Sequence, residues 1–367
     1  MAALSQLRRI EIVCRGASPS SAVDLDELAA DLKAHRDHWP ELISTSSKYL
    51  LTPSLAFGLA EKNLAHLAPL DVQEYLEAVL TLNRQRSNEI RAQALELAAA
   101  LGKEGLFPLF LKGSANLLAG LYEDNGQRLI GDIDILIPPG QMENTVEAIK
   151  RCGYIEVDGS VHPPYMYHWP VMYRKDRKAV VEPHFRLHAL RGDDMLSPAE
   201  VVARSEFIEV EGIRVRIPTA MDRICHNIIH GLSKHSPFED GFLYQMYDLS
   251  LLLDRYGDKE TLDELSRLFV SSKSRYLDIC GKFLAKLFRV GAENLANDGY
   301  YARMNWALFK LQLDYPAVKA MLFLADTSFC ELRKMKESPA ATLAMARKVF
   351  KASAYGNFIR MFRGRIR

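Results

Sequence analysis

Asp132 and Asp134 stand one residue apart in Gly131-Asp132-Ile133-Asp134-Ile135-Leu136-Ile137, a run otherwise apolar enough for a buried strand. Alternate side chains leave a strand on the same face, so the two carboxylates project together while Ile133 and Ile135 turn toward the core. Like charges this close repel, and burying them costs several kcal/mol unless a positive group sits between them. A divalent cation meets that need. Oxygen-only ligands suit magnesium, which takes one or two carboxylates together with substrate phosphates. Taken alone, the stretch divides evenly between a metal site and a strand end whose aspartates cap a turn.

The flanking chain has three textures. Residues 22–101 read as helical: 22–32 carries apolar residues at helical spacing after a serine-rich start, and 72–101 is one long run without Pro or Gly. From about 103 to 218 the pattern is mixed α/β. A short apolar run, 106–111, ends in Lys112-Gly113-Ser114 and reads as strand then turn, and 115–122 reads as a helix. Residues 130–137 form a strand closed by Pro138-Pro139-Gly140, and 142–151 a helix ended near Gly153. Residues 178–185 alternate as a strand, and 207–217 read as a hairpin about Gly212. From Pro218 onward helices return, with Thr219 and Asp222 spaced like a capping box.

Three pieces of the central block carry chemistry. Gly113-Ser114 lies at a strand-to-helix turn, where a helix N-terminus offers free N–H groups and a positive dipole end, and the serine hydroxyl adds a donor for phosphate. Asp132 and Asp134 follow eighteen residues after Ser114, room for one short helix and a loop. Glu182 is a further carboxylate in an apolar strand, with His184 on the same face. Three carboxylates on neighbouring strands beside a phosphate-type turn make a coherent site for a metal–triphosphate complex.

In that order the elements resemble the nucleotidyltransferase superfold, and more closely the uncharacterised bacterial nucleotidyltransferase family. The matching residues are Leu111-Lys112-Gly113-Ser114, then Arg128-Leu129-Ile130-Gly131-Asp132-Ile133-Asp134, then Glu182-Pro183-His184, with His226, His230 and Asp248 downstream. The resemblance covers roughly residues 105 to 255. It departs at Pro183, which removes a ladder donor and points to an edge or bulged strand.

The expected fold is α+β: a nucleotidyltransferase-like core over 103–218, an N-terminal helical region over 1–102 and a C-terminal one over 219–367. The resemblance implies Mg2+-dependent transfer of NMP from an NTP to an acceptor, with pyrophosphate leaving and Mn2+ as the alternative ion. Asp132, Asp134 and Glu182 would hold metal, and Glu182 could instead take the acceptor's proton. Gly113 and Ser114 would hold the outer phosphates, and Lys112, Arg128 and His184 would contact the nucleotide. Lys112 balances against a solvated strand-end lysine, and Arg128 against a plain salt bridge. The acceptor is open among a protein side chain, a small molecule and an RNA end. Rival readings are a toxin-like transferase acting on tRNA or an antitoxin, and a non-catalytic nucleotide-binding or scaffold protein.

The remaining features exclude more than they add. No Walker A, GxGxxG, GxSxG or kinase signature occurs. His226 and His230 have the i,i+4 spacing of zinc helices, but without a Glu-x-x-His pattern or a cysteine cluster the reading favours structure or cleft lining. His188 shares the strand face of Glu182 and His184 and is set aside as a substrate contact. The aromatic run 165–170 reads as core rather than a stacking platform. Five scattered cysteines without CxxC spacing argue against a disulfide framework and for a reducing compartment. With no signal-peptide core and no apolar run of about 18 residues, the expectation is a soluble, cytoplasmic protein. Net charge is +1, yet residues 331–367 carry ten basic residues against two acidic, interleaved with Tyr355, Phe358 and Phe362. That tail reads as a solvated helix with an apolar docking stripe, and RNA, anionic lipid or an acidic partner are its alternatives.

Overall fold

A computed structural model describes residues 4–157, 167–188, 196–233, 236–271, 275–290 and 299–322. The basic tail, Tyr165 and Met166 lie outside the described residues.

The chain begins with α1 (Gln6–Ala17), whose first turn is capped by Ser5 Oγ accepting from the Arg8 N–H at 3.2 Å. The helical pattern expected from 22 onward thus starts earlier, with Leu7, Ile10 and Val13 at helical spacing after the Ser5 cap. Next comes α2 (Leu25–Ala34), capped by Asp24 and not by the serines before it. Then follow α3 (Trp39–Lys48), α4 (Thr52–Glu61) and α5 (Leu70–Lys103), the long uninterrupted helix expected from 72–101. α1 crosses α4 at a backbone-to-backbone approach: a Cβ on Gly58 would sit 2.2 Å from the Gly16 carbonyl oxygen. The buried Lys62 ammonium donates to the Ser18 carbonyl at 2.6 Å beside this crossing.

The central block alternates β1 (Leu109–Phe110), α6 (Lys112–Leu118), β2 (Asp132–Leu136), α7 (Met142–Arg151), β3 (Ile155–Glu156), β4 (Met172–Tyr173) and β5 (Val180–His184). α8 (Pro198–Arg204) then leads into β6 (Glu206–Val210) and β7 (Ile213–Ile217). These strands form one mixed sheet in the order β3-β4-β5-β2-β1-β7-β6, so the architecture is α+β. β6 and β7 make the expected hairpin; Glu211 and Gly212 both take positive φ, as a two-residue type I′ turn requires.

β2 lies at the centre of the sheet, antiparallel to β1 and parallel to β5. β5 is therefore an interior strand, and the edge position expected from Pro183 is corrected. The Pro183 carbonyl accepts from the Trp169 N–H on the β4 side, whereas the His184 carbonyl accepts from Ile137 on the β2 side. The missing proline N–H thus faces residues 167–169, which precede β4 and pair only irregularly with β5, so the β2–β5 ladder stays whole.

The described residues continue with α9 (Ala220–Ser233), α10 (Gly241–Tyr256), α11 (Lys259–Ser271), α12 (Tyr276–Phe283) and α13 (Tyr300–Asp314). Thr219 caps α9 as its spacing predicts, accepting from the Asp222 N–H at 3.1 Å. No helix of the described residues is long and apolar enough to cross a membrane.

α5 packs against β7 and α7 and carries buried polar residues that hold the neighbouring backbone. Asn83 donates to the carbonyls of Gly126 and Arg128 at 2.6 and 3.0 Å, fixing the loop that enters β2. Gln93 pairs through both ends of its amide with the N–H and carbonyl of Ala179, just before β5. One helix thus fixes the approach to both acid-bearing strands.

Candidate active site

The parallel register of β2 and β5 puts Asp134 opposite Glu182 and Leu136 opposite His184. Asp132, Asp134, Glu182 and His184 therefore leave one face of two adjacent strands, as the alternation rule demands. From the other side, the Leu111 N–H donates to the Asp134 carbonyl at 2.9 Å, which brings the β1–α6 junction alongside.

Lys112 stands at that junction with φ +50°, a left-handed conformation that a β-carbon makes costly by about 1–2 kcal/mol. The strained residue is thus the lysine and not the adjacent glycine. Its Nζ lies 2.7 Å from Asp134 Oδ1, and His184 Nε2 lies 2.7 Å from the same oxygen. Burial alone would raise the Asp134 carboxyl, but Lys112 and the His184 hydrogen bond outweigh it and hold the group far below the usual carboxylate range. Burial, then Lys112, lower the His184 imidazole, so the ring is neutral and Nε2–H donates to Asp134. His184 Nδ1 has no hydrogen-bond partner among the described residues.

Asp132 lies at the mouth and keeps partial contact with solvent. Burial first, then the Asp134 charge and then Glu182 push its carboxyl up to about 6, against the opposing pull of Lys112 and Arg128. Three carboxylates thus face one ammonium, and the Asp132–Asp134 pair remains short of positive charge.

The cleft before this face has a volume of about 430 Å3, within the ordinary range of small-ligand sites. Among the residues expected from the sequence, Lys112, Gly113, Arg128, Asp132 and Asp134 line it. His184 sits fully buried behind Asp134, and Glu182 is half-buried beside it. The Ser114 hydroxyl turns inward: α6 begins at Lys112, three residues earlier than expected, so Ser114 lies in its first turn. There its hydroxyl donates to the Leu111 carbonyl at 2.7 Å.

Arg128 is a buried salt bridge, one of its two sequence readings. Nε and Nη2 donate to the two oxygens of Asp248 at 2.8 and 2.6 Å, with the guanidinium 3.3 Å over the Tyr244 ring. Its fork is spent on α10, and Tyr122 O–H donates to the same Asp248. Arg86, His230, Tyr244 and Gln245 also line the cleft. Sequence reasoning passed over Arg86, Tyr244 and Gln245, because they sit on distant helices and belong to no motif.

Of the aromatic run, Tyr167 and His168 are half-buried, with ring centroids 5.4 and 5.5 Å from that of His184.

An α+β fold with an Asp-x-Asp strand at the centre of a mixed sheet is the arrangement expected of the nucleotidyltransferase class. A family model of uncharacterised nucleotidyltransferases matches residues 35–275, and the chain belongs to that family. The match extends beyond the resemblance at 105–255 and takes in α3 through α5 and most of the helices after the sheet. No curated protein matches the chain. Membership supports a general role in nucleotidyl transfer, chemistry that ordinarily uses a divalent metal. Two groups among the described residues bring candidate ligand atoms within 4.8 Å of one another: Asp134 with Glu182 and His184, and His188 with His226 and His230.

Proposed function

We propose that this chain moves a nucleoside monophosphate from an NTP to an acceptor hydroxyl, with release of pyrophosphate. The observation that carries the reading is the register of β2 and β5, which sets Glu182 beside Asp134 on the face that also bears Asp132. The donor set fits magnesium: Asp132, Asp134 and Glu182 offer only oxygens, and Lys112 covers one carboxylate of the three. A bound Mg2+ would supply charge neutralisation for the triphosphate and the developing pyrophosphate.

The chain's own residues do the rest. Lys112, at the edge of the cleft, sets an ammonium against the phosphates while its bond to Asp134 orients that carboxylate. The backbone of Gly113, lining the cleft, admits a phosphate oxygen where a larger side chain would stand. His184, held neutral, donates to Asp134 and keeps it ionised and in place. Glu182 completes the carboxylate set or takes the proton of the acceptor hydroxyl. Positioning and electrostatic preorganisation are the main sources of rate in such transfers.

The test uses α-labelled and γ-labelled NTPs with Mg2+ and cell lysate as the acceptor source. Label transferred from the α position by wild type, and not by the Asp132→Asn/Asp134→Asn double variant, supports the proposal. Transfer from the γ position alone makes the protein a kinase and overturns it. NTP binding without pyrophosphate release across all acceptors favours the scaffold reading instead.

A further inference from the structure

Beside the cleft, whose lining includes His230, three histidines converge from two parts of the chain. His226 and His230 lie one turn apart on α9, and His188 reaches them from the segment after β5. Their ring centroids are separated by 5.0 Å for His188–His226 and 5.8 Å for His226–His230. All three are at least nine-tenths buried. Neither nitrogen of His188, nor Nε2 of His226, has a hydrogen-bond partner among the described residues. A buried imidazole with both nitrogens unsatisfied is unusual, because buried polar groups are almost always paired.

We propose that His188, His226 and His230 form a second metal centre, separate from the carboxylate cluster, that takes a borderline-soft divalent ion of the Zn2+ class. Imidazole nitrogen suits zinc and its neighbours as carboxylate oxygen suits magnesium, so the two clusters select different ions. The candidate ligand atoms lie within 4.8 Å of one another, and small side-chain rotations bring them to the roughly 3.4 Å that bonds of about 2.1 Å impose in a tetrahedral site.

Burial first, and then Lys112, hold the His188 imidazole down to about 3. Burial and the neighbouring His188 put His226 well below its usual value. Neutral imidazole is the form that binds metal. Three protein ligands leave a fourth position open. His226 and His230 line a cavity of about 20 Å3, room for a single water, whose wall also holds Lys112, Arg223 and Asp248. Of the two cations in that wall, Lys112 is engaged by Asp134 and Arg223 donates to the Asn116 side-chain oxygen at 3.3 Å. The alternative is a trio of neutral core histidines with no ligand, and it leaves the orphaned nitrogens of His188 and His226 unexplained.

The site is tested on tag-free full-length protein, stripped with chelator and titrated with Co2+ in excess Mg2+. Intense visible bands of tetrahedral Co2+, saturating at one ion per chain and displaced by Zn2+, are expected. His188→Gln and His226→Gln should each abolish the bands and weaken Zn2+ binding by more than about a hundredfold, since even outer partners of a ligand are worth 10–100-fold. Circular dichroism compares each variant with stripped wild type, and the wild-type spectrum needs no variant. Asp134→Asn should leave the bands intact. A weak octahedral spectrum in wild type, bands that survive His188→Gln in folded protein, or bands lost in Asp134→Asn would each overturn the proposal.

Discussion

Replacing Asp132 by asparagine should stabilise the metal-free protein, by an amount that grows as pH rises from about 4 and levels off above about 6. The Asp132 carboxyl is pushed up to about 6 from 3.8 by burial and by Asp134 and Glu182. That difference corresponds to about 3 kcal/mol at full effect. Partial solvent contact screens part of it, leaving about 2 kcal/mol.

A group whose folded-state pKa exceeds its unfolded one stabilises the protein below about 4, and that contribution is lost as pH rises through about 6. A neutral amide at this position escapes the loss. In EDTA near pH 8, the variant should melt higher than wild type by roughly 4 °C, using about 2 °C per kcal/mol for a chain this large. The gap should shrink to about half near pH 4.5 and vanish toward pH 3, below the unfolded carboxyl's own titration. Saturating Mg2+ should close the gap at pH 8, because an ion that binds the folded wild type stabilises it. Thermal melts followed by circular dichroism at several pH values measure this. A variant no more stable than wild type at pH 8 without metal, or a gap that does not change with pH, would refute the charge-crowding argument.

Two further substitutions probe the frame around the site. Gly58→Ala in α4 would ordinarily gain about 1 kcal/mol of helix propensity, but its methyl would meet the Gly16 carbonyl at 2.2 Å. Backbone cannot yield as a side-chain tip does, so a net loss of about 1–3 kcal/mol is expected in urea denaturation. Arg128→Leu should cost about 3–5 kcal/mol by leaving Asp248 buried without its cation. The Arg128→Leu/Asp248→Leu double variant should recover most of that, ending about 1 kcal/mol short because the Tyr122 hydroxyl loses its acceptor.

The strands and helices that carry the acids were legible because local patterns encode them. The helix at 142–151, the hairpin about Gly212 and the Thr219 cap follow from capping residues and from periods of 3.6 and 2. The shared face of Asp132 and Asp134 follows from alternation alone. What alternation could not supply was register: that Asp134 lies opposite Glu182 depends on how two strands far apart in the chain align. Pro183 misled because a missing donor matters only on the side where a neighbour asks for it. Arg128 had two readings because its partner lies 120 residues downstream on another helix. The inward turn of the Ser114 hydroxyl was not legible because helix starts are fixed by only a residue or two, and α6 starts earlier than the pattern suggests. His188 was set aside because contact among three histidines is a property of the fold, and no spacing rule reaches from the end of one strand to the middle of a distant helix.

The long helix α5 has a practical consequence for anyone dividing this chain. It spans about 50 Å, and the two amides that pin the entries to β2 and β5, Asn83 and Gln93, both sit on it. A fragment starting at residue 103 would carry every acidic residue of the candidate site yet lack the brace that sets the spacing between them. The smallest fragment expected to hold the three carboxylates in register is therefore one that keeps α5 with the sheet.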